Sequence, residues 1–225
     1  MEALDEGRTY PPRRQGESSK MNAAQSEGKV YKFNPPSLYV VDSYYAWLMD
    51  VSNDLNASVV RPNAELNTAA WHRVSALLAV EARLLDQKAF QPWLDIYADE
   101  CAYWIPSASP APDPRKVVTL EFHDRRRLLD RAARLETGYA YSQYPASRTS
   151  RQLSGLEVWS SPERKGEWRA RYNFTLAEFR NGFSRVVSGW NGFVLRRDGD
   201  RLRIVLKQVN LIDCDRPQGN NSFFL

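Results

Sequence analysis

The sequence has little cysteine and little histidine, with 2 of each among its 225 residues. Cys101 and Cys214 lie too far apart for a CxxC zinc motif, and two cysteines make no disulfide framework. We therefore expect both thiols to be reduced and the compartment to be cytoplasmic. The sequence also lacks the motifs GxSxG, GxGxxG and the P-loop. Hydrolase, dinucleotide-binding and nucleotide-binding functions therefore have no support from motifs.

Long apolar runs and clusters of one charge sign are absent as well. The stretch 37–49 is too short and too interrupted by polar residues to span a bilayer. The first twenty residues lack the apolar core of a secretion signal. The net charge is +4, from 31 basic and 27 acidic side chains that are interspersed. Because phosphate binding needs basic residues clustered on one face, we expect no nucleic-acid partner and no membrane partner.

The composition changes along the chain and indicates two regions. Residues 1–34 are poor in aliphatic side chains, so they cannot bury enough apolar area to offset the entropy of ordering. Residues 37–50 are strongly aromatic and are interpreted as a short helix or as an arm that lies on a partner. Residues 59–67 have the composition of a linker. The prediction is an N-terminal extension over 1–67, partly mobile and in contact with a partner, followed by a folded domain over 68–225.

Helical periodicity dominates the first half of the predicted domain. Apolar residues recur at spacings of three and four over 68–85, which predicts an amphipathic helix. A shorter helix is expected around Phe90–Tyr97, and a third over Asp124–Thr137, before Gly138. Residues 101–105 predict a strand that stops at a proline.

The last third of the chain predicts four long strands, over 153–160, 168–180, 184–197 and 201–213. Asn181-Gly182 separates two of them and is a strong hairpin signal, because both residues tolerate positive φ. The alternation in the last strand places Leu206 on its apolar face and Lys207 on the opposite face. Helices followed by a meander of strands indicate the α+β class, with a curled antiparallel or mixed sheet wrapped around the N-terminal helices as a cone.

Residues that could carry chemistry are few. His72 follows Trp71 in the first helix, and His123 precedes Asp124 at the start of the third. A histidine paired with a carboxylate in a cone suits proton abstraction, but a histidine beside an aspartate at a helix start is more commonly the neighbour of a cap. We assign no catalytic, cofactor-binding or metal-binding residue. Glu81 is interpreted as a helix-surface residue that pairs with an arginine.

Two further groups of side chains have a structural interpretation. One is aromatic and is read as core packing rather than as the lining of a ligand pocket: Trp93, Tyr97, Tyr103 and Trp104. The other covers the outer face of the third helix and is read as a solvated face rather than as a phosphate site: Arg125, Arg126, Arg127, Arg131 and Arg134.

The stretch VEARLLDQKAFQPWLDIYADECAYWIP, from Val80 to Pro106, resembles the opening of the small (β) subunits of aromatic-ring-hydroxylating dioxygenases. Further motifs keep the order of that family: His123-Asp124-Arg125, then Thr137-Gly138, then Ser147-Arg148-Thr149, then the closing NSFFL over Asn221–Leu225. The resemblance covers about Trp71 to Leu225. Residues before Trp71 lie outside the family pattern.

The resemblance implies a nuclear-transport-factor-2-like cone, also described as a cystatin-like roll. It further implies a hexamer of three large and three small subunits. In that family the large (α) subunit carries a Rieske 2Fe-2S cluster and a mononuclear Fe(II), and a reductase, often with a ferredoxin, delivers electrons from NAD(P)H. This chain is implied to be the subunit without cofactors. Its two histidines agree with this, since a Rieske cluster needs two histidines and a mononuclear iron needs two more.

The predicted function is that of a non-catalytic structural subunit, which supports the iron-bearing subunit of a dioxygenase that degrades an aromatic compound. Residues 37–50 and Phe223–Leu225 are the expected contacts with that subunit, because exposed aromatic side chains are otherwise a liability. Two alternatives share the cone fold. One is a stand-alone enzyme of the dehydratase or isomerase type that uses His123, and the other is a module that binds a small ligand in the cone.

Overall fold

The computed structural model describes residues 41–57, 68–138, 140–161, 163–219 and 221–225. Of the predicted extension over 1–67, only residues 41–57 are therefore described, and 1–40 and 58–67 lie outside the described residues. The predicted linker 59–67 lies wholly outside them. The domain boundary at residue 67 stays a prediction. All described residues belong to the unit Phe33–Leu225.

Four α-helices form in the described residues: α1 (Asp42–Leu55), α2 (Thr68–Asp86), α3 (Phe90–Asp95) and α4 (Arg125–Glu136). The carboxylate of Asp124 accepts a hydrogen bond from the backbone N–H of Arg127 at 2.8 Å, so Asp124 is the N-cap of α4. Gly138, with φ of 74°, closes the same helix in the left-handed conformation. None of the described helices is long and apolar enough to cross a membrane.

In the part of the chain that the structure describes, six strands form one sheet: β1 (Tyr97–Ile105), β2 (Glu121–Asp124), β3 (Arg148–Ser160), β4 (Glu167–Arg180), β5 (Phe183–Asp198) and β6 (Arg201–Leu211). Their order is β2-β1-β6-β5-β4-β3. Only β1 and β6 pair in parallel, and the other neighbours are antiparallel. The predicted Asn181-Gly182 hairpin is confirmed, with φ values of 51° and 82° between β4 and β5.

Both faces of the sheet are buried over part of their area. The concave face packs on α2, α3 and α4, and contributes to the main core. The convex face carries a second core beneath α1. Leu48 and Leu55 of α1 belong to this cluster of buried residues together with Trp104, Trp159 and Leu206 of the sheet. The described part of 37–50 is therefore a helix whose apolar side packs on this chain's own sheet.

Strand β2 was not predicted, because residues 121–124 were read as the approach to a helix. They pair with the end of β1, so that His123 lies opposite Tyr103 at the sheet edge. The predicted α+β architecture, a curled mixed sheet around helices, is otherwise confirmed.

The predicted face of Lys207 is wrong, and a β-bulge is the reason. Val194 pairs with Leu206, yet the next residue, Leu195, pairs with Ile204. The extra residue, Val205, shifts the alternation of β6 by one. Ile204 therefore lies in the main core, whereas Leu206 faces α1. Lys207 points into the concave interior and is fully buried.

Candidate functional site

The interior of the concave face holds a fully buried ion pair. Glu81 of α2 and Lys207 of β6 are each 0% exposed, and Lys207 Nζ donates to Glu81 Oε1 at 2.8 Å. The same oxygen accepts from Trp93 Nε1 at 2.9 Å and from Tyr97 OH at 3.3 Å. Glu81 was expected on a helix surface with an arginine partner, and that expectation is wrong. Three donors from three elements therefore converge on one carboxylate oxygen.

Burial perturbs the titration of these groups. It raises the pKa of Tyr97 well above the ordinary value, and the charge of Glu81 adds to this effect. Desolvation also raises the pKa of Tyr103 and Tyr172. It lowers the pKa of Lys207 from the usual 10.5, while the charge of Glu81 acts in the opposite direction. Each shift favours the neutral form of its group, as expected in a region without water.

The last residues of the sequence fill the rest of the interior. Lys207 Nζ donates to the main-chain oxygen of Leu225 at 2.7 Å. The hydroxyl of Tyr103 donates to that oxygen at 3.0 Å and accepts from the Leu225 N–H at 2.9 Å. Leu225 is 2% exposed. The buried lysine therefore has two acceptors, one from α2 and one from the segment 221–225.

Two arginines hold the remainder of the segment. Arg131 Nη2 donates to the main-chain oxygens of Asn221 and Phe223, at 2.9 and 2.8 Å, and Arg131 also forms an ion pair with Glu121. Arg151 donates to the main-chain oxygen of Phe224 and forms an ion pair with Asp86. Arg131 was expected on a solvated face, and instead it fixes this segment.

The expected role of Phe223–Leu225 as an exposed partner contact is corrected by the structure. The three residues are 7%, 1% and 2% exposed. The ring of Phe224 lies 4.5 Å from that of Trp93, measured between centroids. Their apolar surface is satisfied within the chain, so they do not need a partner. Core packing is confirmed for the predicted aromatic set, all of which is at most 2% exposed: Trp93, Tyr97, Tyr103 and Trp104.

The two histidines lie apart from the buried pair. His72 is on the exposed side of α2, with its ring edge against Trp71. His123 borders an open pocket of about 730 Å³ next to Arg131 and Arg134. Its Nε2 lies 3.6 Å from Glu121 Oε2, and Glu121 is already paired with Arg131. Among the described residues, no group of three His, Cys, Asp or Glu side chains is placed to hold a metal ion.

The chemistry of the interior is that of a closed core. Glu81, Lys207, Tyr97 and Tyr103 are groups that catalyse proton transfer in many enzymes, but none is more than 2% exposed. A substrate cannot reach them while the segment 221–225 is in place. The sequence contained a signal for Glu81, which lies on the apolar stripe of α2 with Val74, Leu78 and Leu85. It contained none for Lys207, because the bulge at Val205 has no sequence signature.

Both cysteines are free thiols, but they differ in accessibility. Cys101 is 3% exposed, and burial raises the pKa of its thiol to about 12. Cys214 is partly exposed. We expect Ellman's reagent to modify one thiol per chain at neutral pH and both thiols in denaturant, since only the thiolate reacts. The variant Cys214→Ser should show no fast reaction under native conditions. A fast-reacting thiol in that variant would contradict the burial of Cys101.

The six-stranded mixed sheet with helices packed on one face defines the class of protein as α+β, as expected. Two solved structures share this fold. The β subunit of benzoate 1,2-dioxygenase from Burkholderia mallei matches with a TM-score of 0.57 and 26% identity, over 71% of this chain and 98% of that one. A chain of a naphthalene 1,2-dioxygenase structure with indole bound in its active site matches with a TM-score of 0.60 and 19% identity, over 83% of this chain and 96% of that one.

The sequence comparison gives the family. The pattern described as "Ring hydroxylating beta subunit" matches residues 80–215. The β subunit of benzoate 1,2-dioxygenase from Acinetobacter baylyi is 30% identical over 66% of this chain and 89% of that protein. The β subunit of toluate 1,2-dioxygenase from Pseudomonas putida is 30% identical over 64% of this chain and 91% of that protein. The chain belongs to the family of ring-hydroxylating dioxygenase β subunits, so the resemblance seen in the sequence is confirmed.

Proposed function

We propose that this chain is a non-catalytic assembly subunit, which supports the iron-bearing large subunit of a cytoplasmic ring-hydroxylating dioxygenase. The observation that carries the proposal is the sealed interior. Glu81 and Lys207 neutralise each other, and residues 221–225 block access to them. A cone closed in this way can serve as a rigid body for assembly, whereas a stand-alone dehydratase or isomerase needs an open cavity with a poised acid or base.

Family membership supports a proposal for the partner and the cofactors of the complex. We propose an α3β3 hexamer in which the large subunit holds a Rieske 2Fe-2S cluster and a mononuclear Fe(II), reduced from NAD(P)H through a reductase, often with a ferredoxin. The described residues of this chain offer no cluster of metal ligands. Relatives are named for benzoate and toluate dioxygenation. Aromatic carboxylates are therefore the first substrates to test with the assembled enzyme.

The test is co-production of this chain with a large (α) subunit of a ring-hydroxylating dioxygenase, followed by mass determination in solution and iron analysis. We expect a stable hetero-hexamer that contains iron, and this chain alone without iron. The variant His123→Ala, as a control for the stand-alone alternative, should assemble and turn over at the rate of the unmodified complex. Iron bound by this chain alone, failure to associate, or activity that is lost with His123 would contradict the proposal.

A further inference from the structure

We propose that this chain binds the large subunit through the outer end of the β4–β5 hairpin and the adjoining convex face of the sheet, and that the large subunit receives this surface in an uncharged cleft. The inference rests on the proposed function, because it names the contact surface of that assembly role. The two contacts expected from the sequence offer no apolar side to a partner, since α1 packs its own on the sheet and Phe223–Leu225 is buried.

The part of the convex face that α1 leaves uncovered carries no charge at ten neighbouring positions of β3, β4 and β5. They alternate with more buried residues along each strand, as side chains on opposite faces do, and nine of the ten are exposed. Charged residues make up 26% of the chain, whereas depletion of charge is typical of the core of a protein–protein interface. We call this set the uncharged face: Ser150, Gln152, Ser154, Asn173, Thr175, Ala177, Phe179, Ser184, Val186 and Ser188.

The end of the hairpin exposes apolar side chains on both of its faces. Phe179 and Val186 belong to the uncharged face and are 39% and 66% exposed. Alternation places Phe183 on the opposite face of the hairpin, where it is 80% exposed. Exposed apolar groups that lie this close together mark a binding surface. A partner that covers all three encloses the hairpin end from both sides, so it presents a cleft rather than a flat surface.

A second copy of this chain fits the surface less well than a large subunit does. From the spacing of strands and residues, the uncharged face measures about 15 Å by about 25 Å, or about 400 Å². Two such faces packed together would bury about 800 Å² in total, which is the size of a crystal contact and below the roughly 1,200 Å² of a stable complex. A flat copy of the same face also leaves Phe183 uncovered on the other side of the hairpin.

Two arginines at the hairpin end define the charge that suits the rim of the cleft. The guanidinium carbon of Arg148 lies 4.6 Å from the ring centroid of Phe179, and Arg180 Nε donates to the main-chain oxygen of Pro145 at 3.1 Å. Within the described ranges, neither arginine is paired with a carboxylate. Carboxylates at the rim of the partner's cleft would complement both arginines, and such complementarity speeds association and fixes the orientation of the partners.

The first experiment places a charge at the centre of the uncharged face. Ala177 lies between Ser150 of β3 and Val186 of β5. Because the partner would remove water from the new charge, we expect Ala177→Lys to raise the dissociation constant of the complex about thirtyfold or more. Ala133→Lys is the matched control, since Ala133 is exposed on α4, and it should bind like the unmodified chain. Association is measured by mass determination over a dilution series, with the same large subunit as in the assembly test.

The outcomes of this experiment separate the contact surface from the assembly role. Equal binding by Ala177→Lys and by the unmodified chain would show that the surface is wrong while the assembly role stands, whereas no binding by the unmodified chain would contradict both. A homodimer of the chain alone that Ala177→Lys disrupts would assign the face to a second copy. A urea midpoint of Ala177→Lys alone that lies well below that of Ala133→Lys would show that the chain's own residues cover the face. Either result would overturn the proposal.

The second experiment tests the other side of the hairpin and remains decisive if Ala177→Lys does not fold. Phe183 is 80% exposed, so Phe183→Ala leaves the core intact and should not change the urea midpoint. We expect it to weaken association about tenfold or more, as the loss of an aromatic anchor does. Tyr141→Ala is the control, because Tyr141 is 82% exposed but borders the pocket beside His123, and it should bind like the unmodified chain. Equal affinities of the two variants would mean that the large subunit does not enclose the hairpin, and the proposed cleft would be wrong.

Discussion

Replacement of Glu81 by alanine is expected to lower the free energy of unfolding by about 3–5 kcal/mol, because it leaves a buried cation without its counter-charge. Lys207 is 1% exposed at its side chain and Glu81 is 0% exposed. The change also removes the acceptor of Trp93 Nε1 and Tyr97 OH. Urea unfolding followed by circular dichroism measures the loss.

Two comparisons separate this effect from a general cost of truncating a glutamate. Glu100→Ala removes an ion pair with Arg196, but the Glu100 side chain is 40% exposed, so we expect a loss of less than about 1 kcal/mol. The double variant Glu81→Leu with Lys207→Met removes both charges and should be more stable than Glu81→Ala. A loss for Glu81→Ala no larger than that for Glu100→Ala would show that the pair does not stabilise the interior.

The pH dependence of the same variant has a defined sign. Burial lowers the pKa of Lys207 in the folded protein below the usual 10.5, and the charge of Glu81 opposes this. Between the pKa of Lys207 in the folded protein and its pKa in the unfolded chain, the unfolded chain binds more protons, so the contribution of Lys207 to stability rises with pH in that window. Without Glu81 the pKa of Lys207 in the folded protein falls further and the pH window widens. The destabilisation of Glu81→Ala should shrink as the pH rises toward the ordinary lysine pKa.

The sequence predicts the elements of this fold better than it predicts the contents of the interior. Hairpin chemistry located the β4–β5 turn at Asn181-Gly182, and periodicity located α2 and α4, because these signals are local. The inward direction of Lys207 depends on a one-residue bulge against β5. A bulge is set by pairing between distant strands, so the alternation within β6 alone gives the opposite face.

The burial of Phe223–Leu225 illustrates a second limit of local patterns. Three apolar residues at the end of the sequence fit an exposed contact and a buried plug equally well. The difference lies in Arg131 and Arg151, which donate hydrogen bonds to the backbone oxygens of the segment and come from a different part of the chain. A resemblance to a family supplies the fold, but it does not identify such contacts between residues that are distant in the sequence. The site was therefore visible only once α2, α4 and β6 were placed together.

Strand pairing around the interior depends on a glycine that the sequence did not single out. Gly189 of β5 lies opposite Leu211 of β6. A Cβ atom at this position would lie 2.0 Å from the main-chain oxygen of Asn210 and 2.9 Å from its carbonyl carbon. Both atoms belong to the backbone of the neighbouring strand, which cannot yield without breaking the β5–β6 ladder.

Gly189→Ala is therefore expected to cost about 3 kcal/mol of unfolding free energy, at the upper end of overpacking effects. Gly192→Ala is the comparison in the same strand, because the nearest atoms there, Leu55 Cδ1 at 2.8 Å and Trp190 Cζ3 at 3.2 Å, belong to side chains rather than to backbone, so we expect a smaller loss. Both changes restrict the unfolded chain equally, so the difference between their urea midpoints isolates the clash. The same ladder pairs Phe193 with Lys207, so Gly189→Ala should also speed hydrogen exchange at residues 221–225. Equal midpoints for the two variants would mean that the strands separate at this point at little cost, and that the interior is held by the Glu81–Lys207 pair rather than by the sheet.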